Sequence, residues 1–203
     1  MPDPAPALEA VVLEGKVVRL EPMVADHLDD LASVALDPDL WRLTVSHVVT
    51  RDDLARWMAE AIAEQRHGTA LPFVIREREY GQLVGATRFG AYAARHRRVE
   101  IGWTWGAAAW QRTAVNTEAK LLLLRHAFES LGLQRVEFKT DALNMRSRTA
   151  ILRLGAREEG VLRKHQVTDT GRVRDSVYFA ITDEEWPSVR RALVERLGRP
   201  AGT

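Results

Sequence analysis

Glu100 is the residue whose neighbours best suit it to chemistry. It lies in residues 98–105, where Val99, Ile101, Trp103 and Trp105 alternate with Glu100, Gly102 and Thr104, the period-two pattern of a strand with one apolar face. A glycine inside a strand marks a bulge or a place where a ligand meets the backbone, and a carboxylate on the same face can accept a proton. The alternative is an ion pair with Arg88 or Arg98 on a solvated sheet face. Directly after this stretch, Gln111, Arg112, Thr113, Ala114, Val115, Asn116 and Thr117 form a polar entry to a helical pattern. Free backbone N–H groups and the helix dipole make such an entry a seat for phosphate. Arg112 adds positive charge, while Thr113, Asn116 and Thr117 add donors; without a ligand, Asn116 or Thr117 caps the helix. Asn144 opens a later helix with Ser147 and Arg148 in its first turn, either as a plain cap or as part of the same crevice.

These side chains need a frame, and the hydrophobic pattern supplies one. Residues 16–22 alternate as a strand, and two helices follow. Asp26 is the expected cap of the first; Thr50 and Asp53 open the second, on which Leu54, Trp57, Met58 and Ile62 share a face. Residues 71–76 and 83–89 flank a turn at Gly81 as a hairpin. The strand at 98–105, a helix over 118–131 stopped by Gly132, and a strand at 135–141 make a βαβ unit with parallel strands. Its strand ends and following helices converge on one crevice, the usual ligand site of such units. A helix from Asn144 to Gly155, a hairpin over 161–168 and 172–182, and a final helix opened by Thr182 and Glu185 and ended by Gly198 and Pro200 complete the order β-α-α-β-β-β-α-β-α-β-β-α. The expected fold class is α+β (α/β mixed), with one domain over 12–198, a loose leader over 1–11 and a tail over 199–203. The six tryptophans read as core.

Composition narrows the functions available. With no cysteine there is no disulfide, thiolate metal site or cysteine nucleophile, and six scattered histidines lack ligand spacing, so no metal is expected. A formal net charge of +1 gives no global field for nucleic acid; Arg95, His96, Arg97 and Arg98 read as a solvated loop. No apolar run approaches a membrane span, and the leader, with Pro2, Pro4 and Pro6, does not resemble a signal peptide. A cytoplasmic location is therefore expected, and exposed strand edges suggest a possible homodimer.

Several separated stretches, in order, carry a family likeness: Arg98 to Trp105, Trp110 to Lys120, Ala127-Phe128 with Leu131 to Glu137, Asp141 to Asn144 with Arg146-Ser147, and Leu154 to Ala156 with Glu159-Gly160. They resemble the GNAT acetyltransferases, above all the RimJ/RimL-like, ribosomal-protein N-acetyltransferase branch. The resemblance implies a central twisted mixed sheet of about seven strands flanked by helices, with a V-shaped splay between the fourth and fifth strands. It implies acetyl-CoA as co-substrate and a primary amine, on a protein N-terminus or a small molecule, as acceptor. Backbone groups of Trp103, Thr104 and Trp105 would then hold pantetheine, Gln111 to Thr117 the diphosphate, and Asn144 the pantetheine arm. Glu100 would drain the amine proton, a strand N–H near Trp103 would serve the acyl oxygen, and Ser147 or Tyr178 would give a proton to the thiol. One departure stands out: the family pattern Gln/Arg-x-x-Gly-x-Gly/Ala puts Ala114 where its first glycine falls and Asn116 at its last position. A methyl group there narrows the approach of a phosphate, and Arg112 can offset this by a charge-assisted contact. The competing reading is a catalytically weak or inactive module that binds acyl-CoA or a protein partner.

Overall fold

The computed structural model describes residues 4–198; the tail over 199–203, the helix stop at Pro200 and the first three residues of the leader lie outside the described residues. Eight strands form one sheet in the order β1-β2-β3-β4-β5-β6-β8-β7. They are β1 (Leu13–Glu14), β2 (Val18–Pro22), β3 (Leu71–Glu77), β4 (Leu83–Ala93), β5 (Arg98–Gly106), β6 (Arg135–Asp141), β7 (Arg157–Val167) and β8 (Val173–Thr182). The two-residue β1 is the strand that periodicity does not reveal. Among the described residues five α-helices flank the sheet: α1 (Leu28–Ala35), α2 (Arg51–Arg66), α3 (Ala114–Arg125), α4 (Met145–Arg153) and α5 (Trp186–Gly198). A π-turn, His126–Ser130, extends α3.

Each helix covers the face its apolar stripe selects. Leu31, Leu54 and Trp57 of α1 and α2 pack with Val74, Ala86 and Trp105 on one face, while Leu123, Ile151 and Leu193 of α3, α4 and α5 pack with Phe73, Phe89, Val99 and Phe138 on the other. Local signals hold where the bonds are short in sequence. Thr50 caps α2, its hydroxyl accepting from the Asp53 N–H at 3.1 Å while the Asp53 carboxylate accepts from the Thr50 N–H at 2.9 Å. Asp26 does not cap α1; it lies in a 3₁₀ turn, Ala25–His27, that leads into the helix. Residues of the expected loose leader pack instead: Ala5 and Leu8 are buried in the main core, and the Ala5 N–H donates to the Ala94 carbonyl at 3.0 Å.

α3 is the keystone of the sheet's far side. Its buried Glu118 accepts from the N–H groups of Lys16, Val17 and Val18 at 2.9, 2.6 and 2.7 Å, closing the turn between β1 and β2 over a sequence distance that no local pattern spans. Gly15 is required beside it, since a Cβ there would stand 2.4 Å from the Glu118 carboxyl. Glu118→Ala strands three amide donors. The expected loss is about 3 kcal/mol or more, read by calorimetry as a fall in Tm of roughly 6–12 °C.

Candidate active site

The site starts at an unusual strand pair. β5 and β6 are parallel neighbours, yet they pair only at Arg98↔Arg135, Val99↔Val136 and Glu100↔Glu137. Both continue, β5 to Gly106 and β6 to Asp141, with β6 still paired to β8 as far as Asp141↔Ser176. Beyond Glu100 the strands have separated, which is the splay expected between the fourth and fifth strands when β1 is not counted.

A bulge in β5 accompanies the parting. Its register with β4 jumps from Arg88↔Gly102 to Ala86↔Trp105, and Trp103 has φ 49°, a left-handed conformation uncommon for a bulky residue. The extra residue breaks the expected alternation, so Trp103 leaves the face shared by Val99 and Ile101. Its ring instead covers Gly90, where a Cβ would stand 2.3 Å from it, and lies 4.7 Å from the Arg88 guanidinium. Arg88 is buried and paired with Glu64 of α2 at 2.8 Å. Trp105, Trp41 and Trp57 form an aromatic cluster on the same side, with ring centroids 5.6–6.3 Å apart. The side chains of Trp103 and Trp105 are therefore packing groups, and it is β5 backbone that borders the opening.

Glu100 is neither solvated nor paired with Arg88 or Arg98. It is 5% exposed, and its carboxylate accepts from Lys139 Nζ at 3.1 Å; Arg98 is paired with Glu137 instead. Burial raises the Glu100 pKa above the ordinary carboxylate range, and the Lys139 charge and hydrogen bond hold back part of that rise. Lys139 also stands 5.7 Å from the Tyr178 ring centroid, and Tyr178 meets the His165 ring edge-on at 5.7 Å. Burial, with the charges of Lys139 and Arg174, lowers the His165 pKa. Sequence reasoning missed Lys139, although the alternation of 135–141 places it on the face of Glu137, beside Glu100 across the parallel pair.

The helix-entry turn is organised differently from its expected form. α3 begins at Ala114 and is capped by Thr113, whose hydroxyl accepts from the Val115 N–H at 3.3 Å and donates to the Trp110 carbonyl at 2.7 Å. Asn116 and Thr117 therefore lie inside the helix and cap nothing. Arg112, Thr113, Ala114 and Asn116 are exposed, whereas the Val115 side chain is buried in the core and offers only its amide. The Gln111 side-chain amide donates to the Gly106 carbonyl at 2.9 Å, tying the turn to the end of β5. Ala114 is not among the residues with positive φ; the left-handed position falls on Arg112, at 64°. The backbone therefore does not require glycine at 114.

Asn144 caps α4, its Oδ1 accepting from the Ser147 N–H at 3.0 Å. Among the described residues no hydrogen bond joins the Ser147 hydroxyl to Glu100, Lys139 or Tyr178. Glu100 and the Tyr178 ring thus each lie near Lys139, while Ser147 lies on a separate helix. A second missed residue is Lys120 of α3, 5% exposed, with Nζ 2.6 Å from Thr104 Oγ1 and 3.1 Å from Thr87 Oγ1. Its signal was the one charge inside the apolar run Ala119 to Leu124. On the α1 and α2 side a cavity of about 290 Å³ is lined by Trp41, Arg42, Ser46, His47, Thr168 and Thr170. Among the described residues no group of three or more His, Cys, Asp or Glu could hold a metal ion, and no helix is long and apolar enough to cross a membrane.

A family model described as an acetyltransferase (GNAT) domain matches residues 18–157. The chain is 27% identical over 170 residues to an uncharacterised N-acetyltransferase, p20, of Bacillus licheniformis, a match spanning 83% of this chain and 94% of the relative. A crystal structure of a GCN5-related N-acetyltransferase from Brucella melitensis shares the fold at TM-score 0.88 and 30% identity, covering 96% of this chain and 89% of that one. Mycobacterium smegmatis RimJ in complex with CoA-disulfide matches at TM-score 0.75 and 29% identity, over 96% and 95% of the two chains.

Proposed function

Because this chain belongs to the GNAT acetyltransferase family, on its RimJ/RimL-like side, we propose that it moves an acetyl group from acetyl-CoA to a primary amine, of a protein N-terminus or a small molecule, by direct attack of the amine on the thioester. The observation that carries this reading is the opening between β5 and β6 beyond Glu100↔Glu137 with a buried carboxylate at its apex. The residues present suit the co-substrate: β5 backbone from 101 to 105, unpaired on its β6 side, for the pantetheine amides, the exposed first turn of α3 with Arg112 for the diphosphate, and Asn144, at the start of the helix that follows β6, for the pantetheine arm. Bound acetyl-CoA supplies the activated acyl group as a thioester.

The chain's own residues manage protons. A lysine-type amine has a pKa of about 10.4 and must be neutral to attack; Glu100 takes that proton, directly or through water, with Lys139 holding the carboxylate in place. Backbone N–H groups near the Trp103 bulge are the donors available to the acyl oxygen. Of the two hydroxyls expected to serve the thiol, the proton-donor role is given to Tyr178, whose ring centroid is 5.7 Å from Lys139 Nζ. The cavity beside Trp41, whose ring reaches Trp105 at 5.6 Å, is the approach for the acceptor. A homodimer through the outer strand β7, where Val161 and Leu162 are about half exposed, and a cytoplasmic location belong to the same proposal.

Release of CoA thiol from acetyl-CoA, followed against a panel of amines and peptides, tests the reaction. Turnover is expected with at least one class, and a flat panel despite tight CoA binding would favour a binding module. Binding itself is expected to add about 2.7 kcal/mol of stability at 100 times Kd. Arg112→Ala is expected to weaken CoA affinity about tenfold by calorimetry, the size of one exposed charge-assisted phosphate contact, without lowering Tm.

A further inference from the structure

Lys120 is a buried amine with no anionic partner among the described residues. It sits in the second turn of α3, buried, and among the described residues it is bonded only to the hydroxyls of Thr87 on β4 and Thr104 on β5. Those hydroxyls stand 2.8 Å from each other and can satisfy one another without it. Several charged groups on the elements around it are engaged elsewhere, while Arg125 of the same helix keeps a buried Nε with no hydrogen-bond partner among the described residues and burial lowers the pKa of His126 just beyond it. Glu118 of the same helix holds the amides of 16–18, Arg19 of β2 pairs with Glu14 and Glu21, Arg88 of β4 with Glu64, and Glu100 of β5 with Lys139. Arg190 of α5 pairs with Glu129, and Arg196 donates to the Arg153 carbonyl.

Thr104 is exposed, and it lies on the part of β5 that β6 has left, so this residue borders the opening while its hydroxyl meets Lys120 and Thr87 and lies 3.3 Å from the Gly102 carbonyl. Resting on the acyl-CoA reading of that opening, we propose that Lys120 is a positioning residue for the co-substrate: it takes up a proton when the diphosphate-bearing arm enters, and holds the Thr104 hydroxyl as the protein's contact on that arm. The helix entry where the diphosphate would sit is six residues before Lys120, about 9 Å along the axis. At an effective dielectric near 20, one charge at that distance favours the protonated form on the order of tenfold. Burial alone lowers the Lys120 pKa to about 7, so the free protein at pH 7.5 is poised to bind that proton. In this proposal the protonated amine adds to diphosphate affinity in a turn that lacks the family's glycine.

The test is isothermal titration of the whole protein with dephospho-CoA capped as its methyl thioether, a probe with no group titrating between pH 6.5 and 9. Titrations at pH 7.5 in buffers of different ionisation enthalpy give the protons bound. Wild type is expected to take up roughly half a proton, and its affinity to fall severalfold from pH 7 to 9. Lys120→Met is expected to abolish the uptake and flatten the pH dependence. Lys120→Gln, which keeps a donor for the two threonines without a titrating group, is expected to match it and serves if the methionine variant does not fold. Thr104→Val is expected to keep the uptake and weaken binding severalfold. Equal uptake in wild type and both Lys120 variants overturns this inference and leaves the acetyltransferase proposal standing, whereas absence of binding by wild type overturns that proposal first.

Discussion

Glu100→Gln is expected to lower kcat/KM for an amine acceptor by roughly 10²- to 10⁴-fold near neutral pH, the usual worth of a positioned proton acceptor, while leaving acetyl-CoA affinity nearly unchanged. The glutamine is isosteric and still accepts from Lys139, so the variant removes basicity and little else. Only the carboxylate can take the amine's proton. Wild-type kcat/KM therefore falls as pH drops through a Glu100 pKa that burial has raised, and this limb lies above the range of an ordinary carboxylate. In the variant the limb disappears and activity follows deprotonation of the amine alone. The deficit is thus largest at low pH and shrinks toward the amine pKa of about 10.4. Lys139→Met moves the wild-type limb further up, because removing a cation disfavours the charged carboxylate. A pH–rate profile identical in wild type and Glu100→Gln would remove Glu100 from the mechanism.

Lys120→Met is expected to make the protein more stable at pH 7, an unusual result for a core substitution. The lysine's pKa falls from 10.5 in a solvated chain to about 7 in the fold. Between those values the unfolded chain binds a proton that the folded chain does not, so wild-type stability rises with pH across that window. Below about 7 both states are protonated and the full desolvation penalty applies. At about 1.4 kcal/mol per pKa unit that penalty is on the order of 4–5 kcal/mol. Methionine fills a similar volume, and Thr87 and Thr104 retain each other. Urea denaturation at pH 7 should therefore show a gain of about 2–4 kcal/mol, shrinking as pH approaches 10. A comparable loss at pH 7 would mean that the ammonium stabilises the fold and is structural. A group that weakens the fold persists for a reason outside folding, which connects this measurement to the proton uptake expected on ligand binding.

The elements were legible because their signals are short in range. Thr50 with Asp53 and Asn144 with Ser147 are caps closed within three residues, and the alternation through Glu100 put Val99 and Ile101 in the core as expected. The helix entry was less legible: Thr113 outcompeted Asn116 and Thr117 as the cap because its hydroxyl could also reach back to the Trp110 carbonyl. The family resemblance, and with it the splay and the co-substrate, came from several motifs in order and not from any single pattern. Trp103 was misassigned to the Val99 face because a bulge depends on which residues of β4 lie opposite, and period-two counting has no term for it.

By itself the sequence determined the helices and longer strands, the parallel βαβ unit, the absence of thiol chemistry and the family. The elements and the missing thiols follow from periodicity, composition and contacts between residues a few positions apart, and the family from several separated motifs in order. The tertiary structure alone decided that Glu100 is buried and held by Lys139, 39 residues away, that Glu118 reaches the amides of 16–18 about a hundred residues earlier, and that Lys120 is a charge without an anion. Burial and partnership depend on which surfaces meet when the sheet closes, and those determine the proton affinities on which the chemistry depends.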